Sequence, residues 1–192
     1  GQTPELDTIT QRLLEGTHCL QKHGQHLDVR RGSFSRDWQE VLVAASDGTF
    51  ARDIRLHQSS GLSVLAADGE HRSSISRRYG SADRPHDLRN WDINASAEDV
   101  CESAATMLRA DYVDGGQMPV VLANRFGGVI FHEACGHLLE TTQVERGSTP
   151  FAQSIGESIA HSAVTAIDEG LSEGAFGSLS MDDEGMEPQR TV

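Results

Sequence analysis

The residues best suited to chemistry in this chain lie together in G-G-V-I-F-H-E-A-C-G-H-L-L-E, from Gly127 to Glu140. Imidazole nitrogens ligate transition metals, and a carboxylate next to such a metal can take a proton from an activated water. Glu133 follows His132 directly, and His137 stands five residues after His132. The familiar helical pattern of this kind is H-E-x-x-H, with its histidines at i and i+4. This chain has one residue more, H-E-x-x-x-H. At 3.6 residues per turn, positions i and i+5 point roughly 140° apart, against roughly 40° for i and i+4. A straight α-helix would therefore aim the two imidazoles to different sides. A π-turn returns i and i+5 to one face. Gly136, just before the second histidine, is a point where the backbone bends at little steric cost. The expectation is that His132 and His137 are two metal ligands on a helix widened or broken near Gly136, with Glu133 as the catalytic base.

The elements that must position these residues are legible around them. Val129-Ile130-Phe131 is an apolar run expected to bury the segment, and buried histidine and glutamate need partners. A strand is expected over Pro119–Ala123, joined to the motif through a tight turn at 124–128. Glu5–Lys22 carries Leu6, Ile9, Leu13, Leu14 and Leu20 at near-helical spacing, with Thr3-Pro4 as a start and Gly24 as a stop. His18, His23 and His26 near its end read as a solvated face. Trp38–Arg78 reads as a β meander, with strands at Val41–Val43, Phe50–Leu56, Leu62–Ala67 and His71–Tyr79 and turns at Ser46-Asp47-Gly48 and Asp68-Gly69. Arg72, Arg77 and Arg78 on its last strand read as an exposed face, with a peptide carboxylate as the alternative partner.

Gly80–Asn94 is polar and reads as a linker. Ser96–Tyr112 is the clearest helix, with Ser96 and Asp99 as a capping box and Val100, Ala104, Met107 and Leu108 as its buried stripe. Cys101 beside that stripe is a small packing residue. Beyond the motif, Phe151–Glu157 suggests a short helix, and Ser162–Ile167 and Ser178–Met181 suggest strands. Without a strict βαβ rhythm, the fold class expected is α+β: a mixed, largely antiparallel sheet packed with helices, the H-E-x-x-x-H motif on a helix.

A catalytic zinc takes three protein ligands and keeps one position open. Only two ligands are evident. Glu140, three residues after His137, can share its face as a third ligand or as a carboxylate that orients the imidazole. Cys135 and the more distant His161 are the other candidates within the chain.

The run P-V-V-L-A-N-R-F-G-G-V-I-F-H-E-A-C-G-H-L-L-E resembles the TldD/PmbA family, also called the modulator-of-DNA-gyrase family. It looks like the TldD side, whose members carry H-E-x-x-x-H. The resemblance continues through E-R-G-S-T-P-F, I-G-E and S-L-S-M-D-D-E-G-M-E-P-Q-R-T-V, and more weakly upstream to V-L-V-A-A-S-D-G-T-F-A-R-D. It implies that His132 and His137 are zinc ligands and Glu133 the catalytic glutamate of a metallopeptidase. It also implies a third ligand, a cysteine, beyond Val192. On this reading residues 1–192 are a portion of the TldD-like N-terminal α+β domain, without its extreme N-terminus or the whole C-terminal domain, and the fragment alone is inactive. The implied substrates are peptides or unfolded proteins, and the implied assembly is a homodimer or a heterodimer with a PmbA-like subunit. A non-catalytic assembly or substrate-guiding module is the alternative, and a cysteine hydrolase built on Cys135 is a third class. Cys135 lies in the same helix as both histidines, a poor place for an exposed nucleophile.

Composition narrows the partners. With 16 Lys plus Arg against 29 Asp plus Glu in 192 residues, the formal charge is −13. Such a chain does not suit direct nucleic-acid binding, which needs a basic face for phosphates. No apolar run is long enough to span a bilayer, and no signal-peptide pattern is present. Three widely spaced cysteines, Cys19, Cys101 and Cys135, argue against a disulfide framework and fit a reducing cytoplasm.

Overall fold

The computed structural model describes residues 6–82, 91–124, 126–172 and 174–192. The chain divides into two compact units, one of Gly1–Tyr112 with Ile167–Thr191, the other of Val113–Ala166 with Val192. The class is α+β, as expected. No helix among the described residues is long and apolar enough to cross a membrane.

The larger unit is a three-stranded antiparallel meander with two helices on one face. Its order is α1 (Leu6–His23), β1 (Leu27–Ala44), β2 (Phe50–Asp68), β3 (His71–Ala82) and α2 (Ile93–Arg109), and β2 lies between β1 and β3. The strands are longer than the sequence suggests. β2 runs unbroken through Gln58-Ser59-Ser60-Gly61, where a polar stretch predicts a break between two strands. Each of these residues pairs on both sides, Ser59 with Ser35 and Gly80, Gly61 with Ser33 and Arg78. Backbone groups satisfied on both edges let a central strand carry buried polar residues. Gly61 is needed there, because a Cβ would sit 2.8 Å from the Arg77 carbonyl oxygen.

Alternate residues of β2, namely Leu62, Val64 and Ala66, turn to the helices and form the core with Ile9 and Leu20 of α1 and Ala97, Val100, Cys101 and Ala104 of α2. α1 buries Ile9, Gly16 and Leu20 with Leu13 beside them, while Leu6 and Leu14 are exposed. Leu14 lies one position, roughly 100°, round from Leu13, so the apolar stripe is narrower than expected. The predicted Thr3-Pro4 start lies outside the described residues. α1 ends at Gly24, whose N–H bonds the Leu20 carbonyl at 2.9 Å. α2 buries Val100 and Ala104 but leaves Met107 exposed. Its cap is Asp92, not Ser96: the Asp92 carboxylate accepts from the Ala95 N–H at 2.9 Å. Ser96 lies inside the helix, where its hydroxyl accepts from the Trp91 indole and donates to the Asp92 carbonyl.

Residues 174–188 lie over the other face of the sheet, at the far end of the β1–β2 hairpin. Ser180 Oγ donates to Asp53 Oδ1 at 2.7 Å, and an Arg55 guanidinium nitrogen donates to the Met181 carbonyl at 2.8 Å. Burial pushes the Asp53 carboxyl up, but the hydrogen bonds from Ser180, Arg55 and the Ile54 N–H, with the Arg55 charge, win and hold it below its ordinary value. The strand expected at Ser178–Met181 therefore does not form a ladder. The segment bonds to the sheet through side chains. A two-residue pairing of β4 (Asp168–Glu169) with β5 (Arg190–Thr191) is the second sheet.

The smaller unit is mostly helical turns and irregular backbone. Its elements are α3 (Phe126–Phe131), a π-turn, a 3₁₀ turn and α4 (Thr141–Glu145). The strands expected at Pro119–Ala123 and Ser162–Ile167 are absent, and Phe151–Glu157 forms turns rather than a helix. Val120 and Val121 are exposed with no strand beside them among the described residues, and a strand persists only where its backbone groups are paired.

Candidate metal centre

The helical run that carries the motif changes its winding where the motif begins. Residues Phe126–Phe131 are α-helical, His132–Gly136 form one π-turn, and His137–Leu139 close as a 3₁₀ turn. The His137 N–H donates to the His132 carbonyl, five residues earlier. That i→i+5 bond defines the π form, and it absorbs the extra residue of H-E-x-x-x-H. The two imidazoles consequently meet: their centroids are 4.4 Å apart with the planes at 69°. One ligand atom from each of His132, Glu133 and His137 lies within 4.8 Å of the others.

The expected widening is thus present, but not for the expected reason. Gly136 has φ −53° and ψ −57°, right-handed values open to any residue. A Cβ there would lie 3.7 Å from His132 Nδ1, an ordinary contact. The burial expected from Val129-Ile130-Phe131 is also absent, since all three are exposed, as are His132 and Glu133. The motif needs no buried partners because it is open to approach.

Glu140 resolves one ambiguity. Its Oε1 lies 2.7 Å from His137 Nδ1. An ionised carboxylate only accepts, so Nδ1 carries a hydrogen, and in the neutral ring it is Nε2 that has the lone pair. Nε2 lies 3.8 Å from Glu133 Oε2, on the side of the cluster. Glu140 thus bonds the His137 ring on the side away from Nε2 and is not one of the three clustered residues. Among the described residues, Cys135 and His161 are not part of the cluster either. The His161 Nδ1 accepts from the Ala163 N–H in a local turn. Two carboxylates beside His137, with no lysine or arginine paired to either among the described residues, make a field that favours a cation. Two imidazoles with an adjacent carboxylate are a donor set that fits zinc.

Such a cluster suits a metallopeptidase, and comparison with known proteins leads to a metallopeptidase family. The chain matches the PmbA/TldA metallopeptidase central domain over residues 2–108 and the PmbA/TldA metallopeptidase C-terminal domain over residues 115–192. The chain belongs to the PmbA/TldD family. It is 34% identical to a metalloprotease TldD homolog of Haemophilus influenzae, over 97% of this chain and 41% of that protein. A metalloprotease TldD homolog of Buchnera aphidicola is 32% identical over 83% of this chain and 35% of its own length. A metalloprotease of Methanothermobacter thermautotrophicus is 29% identical over 77% and 32%. The chain thus spans about two-fifths or less of the curated relatives it matches. The two domain matches part between residues 108 and 115, near the boundary of the two compact units.

Proposed function

We propose that this chain supplies the metal centre of a zinc-dependent peptidase acting on peptides or unfolded proteins. The observation that carries this is the π-turn, which brings His132 and His137 together with Glu133 in reach. The metalloprotease names of the relatives support peptide substrates. His132 and His137 hold the zinc through their imidazoles. The third protein ligand lies outside residues 1–192; by resemblance it is a cysteine. Zinc, when bound, supplies a Lewis acid that polarises the scissile carbonyl and makes the attacking water more acidic. Glu133 accepts the water proton on a carboxylate oxygen and passes it to the nitrogen of the leaving amine. Glu140 holds the His137 ring in the tautomer that leaves Nε2 free. The exposed flank of the turn leaves room for an extended peptide.

These residues alone hold zinc weakly, because two neutral imidazoles lack the third ligand, and the fragment alone is inactive. The intact protein works in the cytoplasm as a homodimer or as a heterodimer with a PmbA-like subunit, without direct contact with nucleic acid or membrane. The test is zinc content and peptide cleavage by the intact protein, with and without chelator. Glu133→Gln is expected to keep zinc and lose turnover, since an amide cannot accept the proton. His132→Ala and His137→Ala are expected to lose both. Full turnover in Glu133→Gln, or unchanged zinc in either histidine variant, would overturn the assignment.

A further inference from the structure

The face of the three-stranded sheet away from the helices carries a polar groove of about 560 Å³. Its floor and walls follow from the register. Arg31, Ser63 and Ser76 pair across β1, β2 and β3 as one row, and Ser33, Gly61 and Arg78 form the next. Residues paired across strands share a face, so two arginines on the outer strands stand diagonally over a floor of three serines and a glycine. Two strand spacings and one two-residue step put their Cα atoms roughly 12 Å apart, within reach of two long side chains meeting over the middle strand.

Charge makes this pair informative. Neighbouring arginines on β3 are neutralised: Arg72 by Asp28 at 2.6 Å and Arg77 by Asp99 at 2.7 Å. Arg31 and Arg78 have no hydrogen-bond or ion-pair partner among the described residues. The chain has a net charge of −13, so carboxylates to neutralise them are not scarce. Two like charges held beside one groove are unfavourable unless an anion joins them. Planar guanidinium groups match a carboxylate bidentately, and serine hydroxyls can donate to its remaining lone pairs. The negative field of the whole chain disfavours multiply charged anions more than a single carboxylate.

We infer that the Arg31–Arg78 groove binds a carboxylate carried by a peptide, at its C-terminus or on an acidic side chain. This stands apart from the peptidase reading and survives its failure. The test is calorimetric binding to the intact protein of three short peptides: a neutral one with a free C-terminus, an amidated one with glutamates, and an amidated neutral one. Inorganic phosphate is the fourth probe. One or both carboxylate peptides are expected to bind, and whichever binds identifies the source of the carboxylate. The Arg31→Gln/Arg78→Gln variant is expected to weaken that binding roughly tenfold or more, the loss of charge-assisted hydrogen bonds. Arg72→Gln, on the same strand and normally paired with Asp28, is expected to leave it unchanged. Equal binding of the amidated neutral peptide, binding of phosphate alone, or binding indifferent to the double variant would overturn the assignment.

Discussion

The His137 N–H bonds to the His132 carbonyl, and the π-turn that this bond closes turns a spacing unsuited to a straight helix into a pair of imidazoles 4.4 Å apart. A metal centre on these two residues would therefore depend on a local departure from α-helical winding, with side chains added to it rather than holding it.

Glu140 is the side chain most directly added. Its bond to His137 Nδ1 fixes the ring that presents Nε2. Glu140→Ala is expected to weaken zinc binding by the intact protein about 10–100-fold, the range seen when an orienting partner of a metal ligand is removed. Competition titration against a chelator measures this. An unchanged affinity would mean that the ring is oriented by something else.

Gly136 carries no special conformation. Gly136→Ala is expected to keep zinc content and to stabilise the turn slightly, by about 0.5–1 kcal/mol if it behaves as an ordinary helical position. Zinc analysis and thermal denaturation test this together. Loss of zinc would restore the role that the sequence suggests for this glycine.

Gly61 is the opposite case. A Cβ there meets the backbone carbonyl of Arg77 at 2.8 Å and Ser33 Oγ at 3.3 Å, and a backbone atom in a paired strand cannot step aside. Gly61→Ala is expected to destabilise the protein by about 1–3 kcal/mol, read as a lower urea midpoint. A neutral result would show that β2 and β3 can separate there without cost.

Asp53 ties the returning segment to the sheet, and its folded-state pKa lies below the unfolded one. Its contribution to stability is therefore fully present above the unfolded value, about 3.9, and is lost as pH falls through the lower folded value. Asp53→Asn is expected to cost about 1–2 kcal/mol near neutral pH and to flatten the decline of stability in the acid range. Denaturant titrations at pH 7 and below 4 distinguish this from a uniform loss.

By itself the sequence determined what is local. His132, Glu133 and His137 are close in the chain, so their meeting required only a choice of winding, and the spacing announces that choice. The body of α1, the hairpin turns at Gly48 and Gly69, both at positive φ, and the Val100–Ala104 stripe of α2 are likewise written in residues a few positions apart. The tertiary structure decided whatever needs a distant partner. Gln58–Gly61 reads as a break yet runs as strand, because β1 and β3 satisfy its backbone on both edges. Val120-Val121 reads as strand yet stays unpaired among the described residues, because no neighbour supplies the second half of each hydrogen bond. Asp53 and Ser180 stand 127 residues apart and meet at 2.7 Å. Nor does periodicity indicate that Arg31 and Arg78 face one groove, since only the register of three strands puts them on the same side.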